Sequence, residues 1–229
     1  MPVTRSERRD VDIAFEGGVL RGILAMPATP SGVVAFAHGS GSGRLSPRND
    51  YVAGVLDDAG LATLLLDLLT EAEERIDAAT GHLRFDIDLL SDRLIAATRW
   101  LRALPETSSL GIGLFGASTG AAAALQTAAR LPDEIDAVVS RGGRPDLALD
   151  WLPKVRAATL FIVGGEDRQV IPLNQLAYDA LVCDREMVIV PGATHLFEER
   201  GTLEQVARLA ARWFSSHLSS AASAARRGE

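Results

Sequence analysis

The sequence predicts an α/β fold built on a mostly parallel central sheet with helices on both faces. Three observations carry that expectation. Short, nearly continuous apolar runs recur at GVVAFAHG (32–39), LATLLLDLL (61–69) and LGIGLFG (110–116), without the polar alternation of a half-exposed strand. Segments of helical length and period separate them. Glycines and unusual polar residues gather where the apolar runs end, the edge at which sheets of this kind bind ligands.

Taken in order, the apolar segments near 11–15 and 19–26 flank Glu16, Gly17 and Gly18 and read as a hairpin. After the strand at 32–39, Pro47 can open a helix with Tyr51, Val52, Val55 and Leu56 on its apolar side, ended by Gly60. Residues 70–83 are polar and acidic and read as a surface excursion. A long helix from about 84 to 103 carries Leu89, Leu90, Leu94, Ala97 and Leu101 at helical spacing, with Pro105 beyond its end. The strand at 110–116 runs directly into STGAAAALQTAARL, a helix. Further strands are expected at 136–140, 159–164 and 186–190, and helices near 173–182 and 201–217. The domain is expected to span 11–217, with tails at 1–10 and 218–229.

The 229 residues, 47% of them hydrophobic, can bury one core without metals or disulfides. A formal charge of -7 argues against nucleic acid or an anionic membrane as partner. Cys183 is the single cysteine, so no internal bridge forms. No signal-peptide run and no apolar stretch of about 18 residues occurs, and a cytoplasmic protein is expected. Oligomeric state is not legible.

Gly116-Ala117-Ser118-Thr119-Gly120 fits G-x-S-x-G at a strand-to-helix corner, where a tight turn exposes the serine hydroxyl above the sheet. The plainer alternative is that Ser118 caps the helix. A serine hydroxyl needs a base, and His195, in the loop after the strand at 186–190, is the candidate. The acid comes from GGEDR at 164–168: Asp167 is preferred over Glu166 for its short side chain, with Glu166 left open. The order Ser118, Asp167, His195 suits a nucleophile, orienting acid and base on such a sheet. The N–H groups of Ser40, within His38-Gly39-Ser40-Gly41-Ser42-Gly43, and of Thr119 are the candidate oxyanion donors. His38 reads as a residue bonded within its loop. The glycine-rich loop lacks the Walker lysine and the dinucleotide pattern, and no cofactor or metal is expected.

Four segments, AHGSGSG (37–43), GASTGAAAAL (116–125), GGEDRQVIP (164–172) and PGATHLFEE (191–199), together resemble the dienelactone hydrolase-like branch of the α/β-hydrolases over about 11–217. The resemblance is to a bacterial group sometimes fused to a phosphoribosyltransferase, for which this chain has no room. It implies an α/β-hydrolase fold, a triad falling on Ser118, Asp167 and His195, a backbone oxyanion hole and no cofactor. It departs at the elbow, since dienelactone hydrolase proper is a cysteine enzyme and serine stands here. The implied activity is therefore that of a general carboxylesterase or acyl hydrolase acting on a small ester, thioester or lactone. An acyltransferase using the same triad, and a non-catalytic binding module, are the alternatives. Residues 142–159 leave no room for a large cap. Arg44, Arg141 and Arg144 are candidates for contacting acidic or polar substrates, against the plainer reading of solvated loop residues.

Overall fold

The computed structural model describes residues 6–218. Eight strands form one sheet: β1 (Glu7–Phe15), β2 (Gly18–Met26), β3 (Val33–Ala37), β4 (Ala62–Leu66), β5 (Ile112–Ala117), β6 (Ala137–Arg141), β7 (Ala158–Gly164) and β8 (Arg185–Val190). Their spatial order is β1-β2-β4-β3-β5-β6-β7-β8. From β4 to β8 every pairing is parallel, while β1 and β2 join antiparallel. The expected α/β-hydrolase architecture is observed, with no large cap. Strands β3 to β7 are buried at every position, which is why their sequences run apolar without alternation.

Among the described residues there are six α-helices, α1 (Pro47–Asp58), α2 (Glu71–Thr80), α3 (Ile87–Ala103), α4 (Thr119–Arg130), α5 (Ile171–Ala180) and α6 (Thr202–His217), and all but α2 pack on the sheet. Two apolar cores form, one on each face. Val52, Leu56, Val206 and Phe214 from α1 and α6 fill one, and Leu90, Leu94, Leu125 and Ala177 from α3, α4 and α5 fill the other. The Trp213 indole packs at the sheet and donates to the Ala158 carbonyl at 3.2 Å.

Several boundaries differ from expectation. Strand β1 begins at Glu7, so residues 7–10 belong to the hairpin and not to a tail; Arg8 and Arg9 pair with Asp50 and Glu106. Leu218 is buried against the sheet, whereas 219–229 lie outside the described residues. The excursion at 70–83 contains α2, begun by a capping box in which Thr70 and Glu73 satisfy each other's backbone N–H groups. Asp77 accepts from the Leu83 and Arg84 N–H groups and pairs with the Arg84 guanidinium, locking the next turn under α2. The long helix starts at Ile87, because the Asp86 carboxylate accepts from the Leu89 N–H and caps it there; a short 3-10 turn occupies Leu83–Phe85.

Helix α4 sits unusually close to the sheet, and its small residues allow it. A β-carbon on Gly120 would lie 2.1 Å from the Ala37 carbonyl oxygen and 2.5 Å from that of His38. Gly120→Ala is expected to destabilise the protein by about 3 kcal/mol or more, read as a lowered urea midpoint at unchanged slope. A midpoint within error of wild type would show that the backbones do not approach this closely.

Candidate active site

Four strand ends converge above the sheet. At the end of β5 the chain turns into α4 through Ser118, held at φ 50° and ψ −121°, a left-handed conformation that costs a non-glycine residue energy. The turn is held on both sides: the Ser118 N–H donates to the Arg141 carbonyl at 3.3 Å, and the Ser118 carbonyl accepts from the Arg144 N–H at 3.0 Å. The serine side chain makes no capping hydrogen bond. The helix-cap reading therefore does not account for it.

His195 stands in the loop after β8, and its Nδ1 lies 2.7 Å from Asp167 Oδ2 in the turn after β7. The imidazole is 37% exposed and the carboxylate 11%, so the acid is shielded while the ring faces the opening. Glu166 turns away to Arg168 at 3.3 Å, and both are exposed. Between the two sequence candidates for the acid, the geometry brings Asp167 to the histidine. Among the described residues His195 Nε2 has no hydrogen-bond partner, Ser118 Oγ included; such contacts often close only around substrate. Two residues that sequence reasoning missed hold this loop. Glu199 accepts from the Thr194 N–H at 3.1 Å and pairs with its hydroxyl at 2.6 Å, and Phe197, at φ 56°, buries its ring. Gly142 (φ +50°) passes beneath, where a β-carbon would sit 3.0 Å from the His195 carbonyl. A glycine after a buried strand end was the one available signal.

The Gly39–Ser42 loop abuts the corner at Ser118, since a β-carbon on Gly39 would lie 3.0 Å from Ser118 Cβ. The N–H groups of Ser40 and Thr119 have no partner among the described residues. Both residues line a small cavity of about 30 Å³, walled also by Glu74 and Arg84. Beside it a groove of about 920 Å³ runs between the Ser40–Arg48 loop and α2, so the excursion is one of its walls; none of Ser118, Asp167 and His195 lines it.

His38 is bonded within its surroundings, as expected. Its Nδ1 faces the Gly39 carbonyl at 3.0 Å and its Nε2 accepts from the Leu68 N–H at 3.0 Å, which sets the tautomer. Burial pushes its pKa down. The unfolded chain therefore binds this proton first, so the stability His38 contributes is complete above about pH 6.5 and is lost as the pH falls toward the folded value. Thermal melts between pH 7 and 5 are expected to show a steeper fall in Tm for wild type than for His38→Gln; parallel curves would rule this out.

The three arginines part company. Arg44 pairs with Asp67, and Arg144 with Asp146 at 2.8 Å. Arg141 is buried, with 6% of its surface exposed, which overturns the solvated-loop reading for this residue. Among the described residues no group of three or more His, Cys, Asp or Glu side chains is placed to hold a metal ion. No helix among them is long and apolar enough to cross a membrane.

Comparison with known proteins agrees with this architecture. Two curated proteins of Mycobacterium tuberculosis, named as phosphoribosyl transferases, are 56% identical over 212 residues; the match covers 92% of this chain and 47% of theirs. The chain thus spans about half the length of the curated relatives it matches. A crystal structure of a dienelactone hydrolase from Anabaena variabilis is 54% identical, covers 93% of this chain and 99% of that one, and superposes with a TM-score of 0.92. An esterase domain from Rhodothermus marinus shares the fold at 20% identity, with a TM-score of 0.73 over 92% of this chain and 99% of that one. The family model described as "Dienelactone hydrolase family" matches residues 20–225. With that match over most of its length, and with the sheet and turns just described, the chain belongs to the dienelactone hydrolase family of α/β-hydrolase enzymes.

Proposed function

We propose that this enzyme is a serine hydrolase that cleaves small carboxylic esters, thioesters or lactones through an acyl-enzyme on Ser118. The observation that carries the reading is the 2.7 Å contact between His195 Nδ1 and Asp167, made beside a serine held in a left-handed backbone conformation at the strand-to-helix corner. Asp167 accepts the Nδ1–H, leaving Nε2 unprotonated and free to act as base. Ser118 Oγ attacks the acyl carbon as Nε2 takes its proton. The oxyanion that forms accepts from the N–H groups of Ser40 and Thr119. The imidazolium then protonates the leaving oxygen or sulfur, and a water deprotonated by the same nitrogen releases the acid and restores Ser118.

Serine is favoured over cysteine as nucleophile by position and by ionisation. Cys183 lies between α5 and β8, away from this corner, and burial pushes its thiol pKa up and away from the reactive thiolate. The absence of a large cap supports small substrates over lipids. The test is intact mass after incubation with a fluorophosphonate. A single adduct on wild type that is lost in a folded Ser118→Ala variant is expected. A wild type that takes no adduct would remove the acyl-enzyme reading and leave a binding role.

A further inference from the structure

We propose that Asn174 is a positioning residue for Ser118, Asp167 and His195: its carboxamide ties the helix that follows Asp167 to the turn on which the serine and the histidine rest. The inference rests on the reading of those three residues as the acyl-transfer centre. It assigns a role in that centre to a side chain that hydrogen-bonds to none of them.

The turn after β6 is where the supports of the site meet. The Arg141 carbonyl accepts from the Ser118 N–H, Gly142 passes beneath His195, and the Arg144 N–H donates to the Ser118 carbonyl. Gly143, between them, has no room for a side chain, since a β-carbon there would lie 2.0 Å from Ser140 Oγ and 2.7 Å from Ala121 Cβ. The turn is thus wedged between the end of β6 and the start of α4. A shift of it would move nucleophile and base together.

The acid belongs to another segment. Asp167 follows β7, and its carbonyl accepts from the N–H groups of Val170 and Ile171 at 3.0 and 3.2 Å, so the start of α5 is built on it. Asn174 lies one turn into α5 and is fully buried. Its Nδ2 donates to the Val170 carbonyl at 2.9 Å and to the Gly143 carbonyl at 3.1 Å. One amide nitrogen therefore bridges the acid's segment and the turn below the base. Among the described residues no other side chain hydrogen-bonds to the backbone of 141–144. On the opposite side, the N–H groups of Gly165 and Glu166 donate to the Val190 and Ala193 carbonyls and tie the acid's turn to the histidine's loop. Asn174 closes the side that those bonds leave open.

Packing alone does not explain an asparagine here. Its Oδ1 is buried with no partner, and turning the amide over would only set that oxygen against two carbonyl oxygens. An orphaned buried acceptor is destabilising, and leucine would fill nearly the same space without one. The Val170 carbonyl does not need the side chain, because it already accepts from the Asn174 N–H at 3.0 Å within the helix. What the carboxamide adds is the bond to Gly143. That bond matters to chemistry because a displacement of about 1 Å at reacting groups can lower a rate by about 100-fold.

The test compares Asn174→Leu and Asn174→Asp with wild type on p-nitrophenyl acetate. Asn174→Leu should lower kcat at least ~30-fold and leave KM within ~3-fold, because the acid drifts from the base while the substrate keeps its contacts. In an Asp167→Asn background the same change should lower kcat less than ~3-fold, since no acid remains to be placed. Equal losses in the two backgrounds would mark a merely structural role and overturn the proposal, as would a leucine variant with wild-type kcat. Asn174→Asp keeps the shape and has a donor only while its carboxyl is protonated, a state that burial favours. Its kcat relative to wild type should exceed that of the leucine variant at about pH 6 and decline as the pH rises toward about 9. An aspartate variant no better than leucine at either pH overturns the proposal. Proton NMR needs no turnover. The His195 Nδ1–H held by Asp167 should give a slowly exchanging downfield resonance in wild type, absent in Asp167→Asn and broadened beyond detection in Asn174→Leu. A sharp resonance in Asn174→Leu overturns the proposal whether or not the ester is cleaved, and fluorophosphonate labelling of wild-type Ser118 reports separately on the acyl-enzyme reading.

Discussion

Ser118→Ala is expected to lower kcat for an activated short-chain ester by a factor on the order of 10⁵ while leaving KM within a few-fold, because the hydroxyl bonds covalently only after substrate has bound. The residual rate would come from the N–H groups of Ser40 and Thr119, which still stabilise an oxyanion formed by direct attack of water. The same position carries a stability signature. With φ at 50° and ψ at −121°, an alanine β-carbon meets the strain that the serine meets, whereas glycine escapes it. Ser118→Gly should therefore be about 1 kcal/mol more stable than Ser118→Ala in urea while being equally inactive. Equal stabilities would mean that the corner is not strained, and an alanine variant retaining most of its kcat would remove Ser118 from the chemistry.

The second large effect belongs to the acid. Asp167→Asn should lower kcat by about 10³ to 10⁴, since an amide nitrogen facing His195 Nδ1 favours the tautomer whose proton sits on Nε2 and so cannot accept one from the serine. Glu166→Gln, one residue away, should change kcat less than about 3-fold, because its carboxylate faces solvent and Arg168 and its charge there is screened. Steady-state kinetics on the two variants at one pH separate the neighbours. Were the losses exchanged, the turn after β7 would have to present Glu166 to the histidine, contrary to the 2.7 Å contact of Asp167.

Much of the site was legible because its parts lie where local sequence patterns end. The run LGIGLFG and the alanine-rich helix after it locate a strand-to-helix corner, and Gly116 and Gly120 bracket the serine in it. Other features were hidden by distance along the chain or by mixed local signals. The acidic stretch after residue 69 obscured α2, although Thr70 and Glu73 spell its capping box. Arg8 and Arg9 look like tail residues until the hairpin sets them against Asp50 and Glu106. The Thr194–Glu199 clamp joins two ordinary loop residues, and nothing in their spacing distinguishes them from solvated neighbours.

The sequence by itself determined the buried parallel sheet, the residue types at its ends and the order Ser118, Asp167, His195, because hydrophobic period and turn chemistry act over a few residues. Only the tertiary structure decided which carboxylate meets the histidine, for Asp167 and Glu166 share one turn and differ only in direction. It also decided the fates of three arginines that look alike in sequence: pairing depends on what other strand ends and helices bring within reach. Arg44 and Arg144 meet carboxylates, whereas Arg141 is carried by β6 beneath the His195 loop, buried and unpaired. Charge and chain position are local properties; burial and partnership are set by the assembled fold.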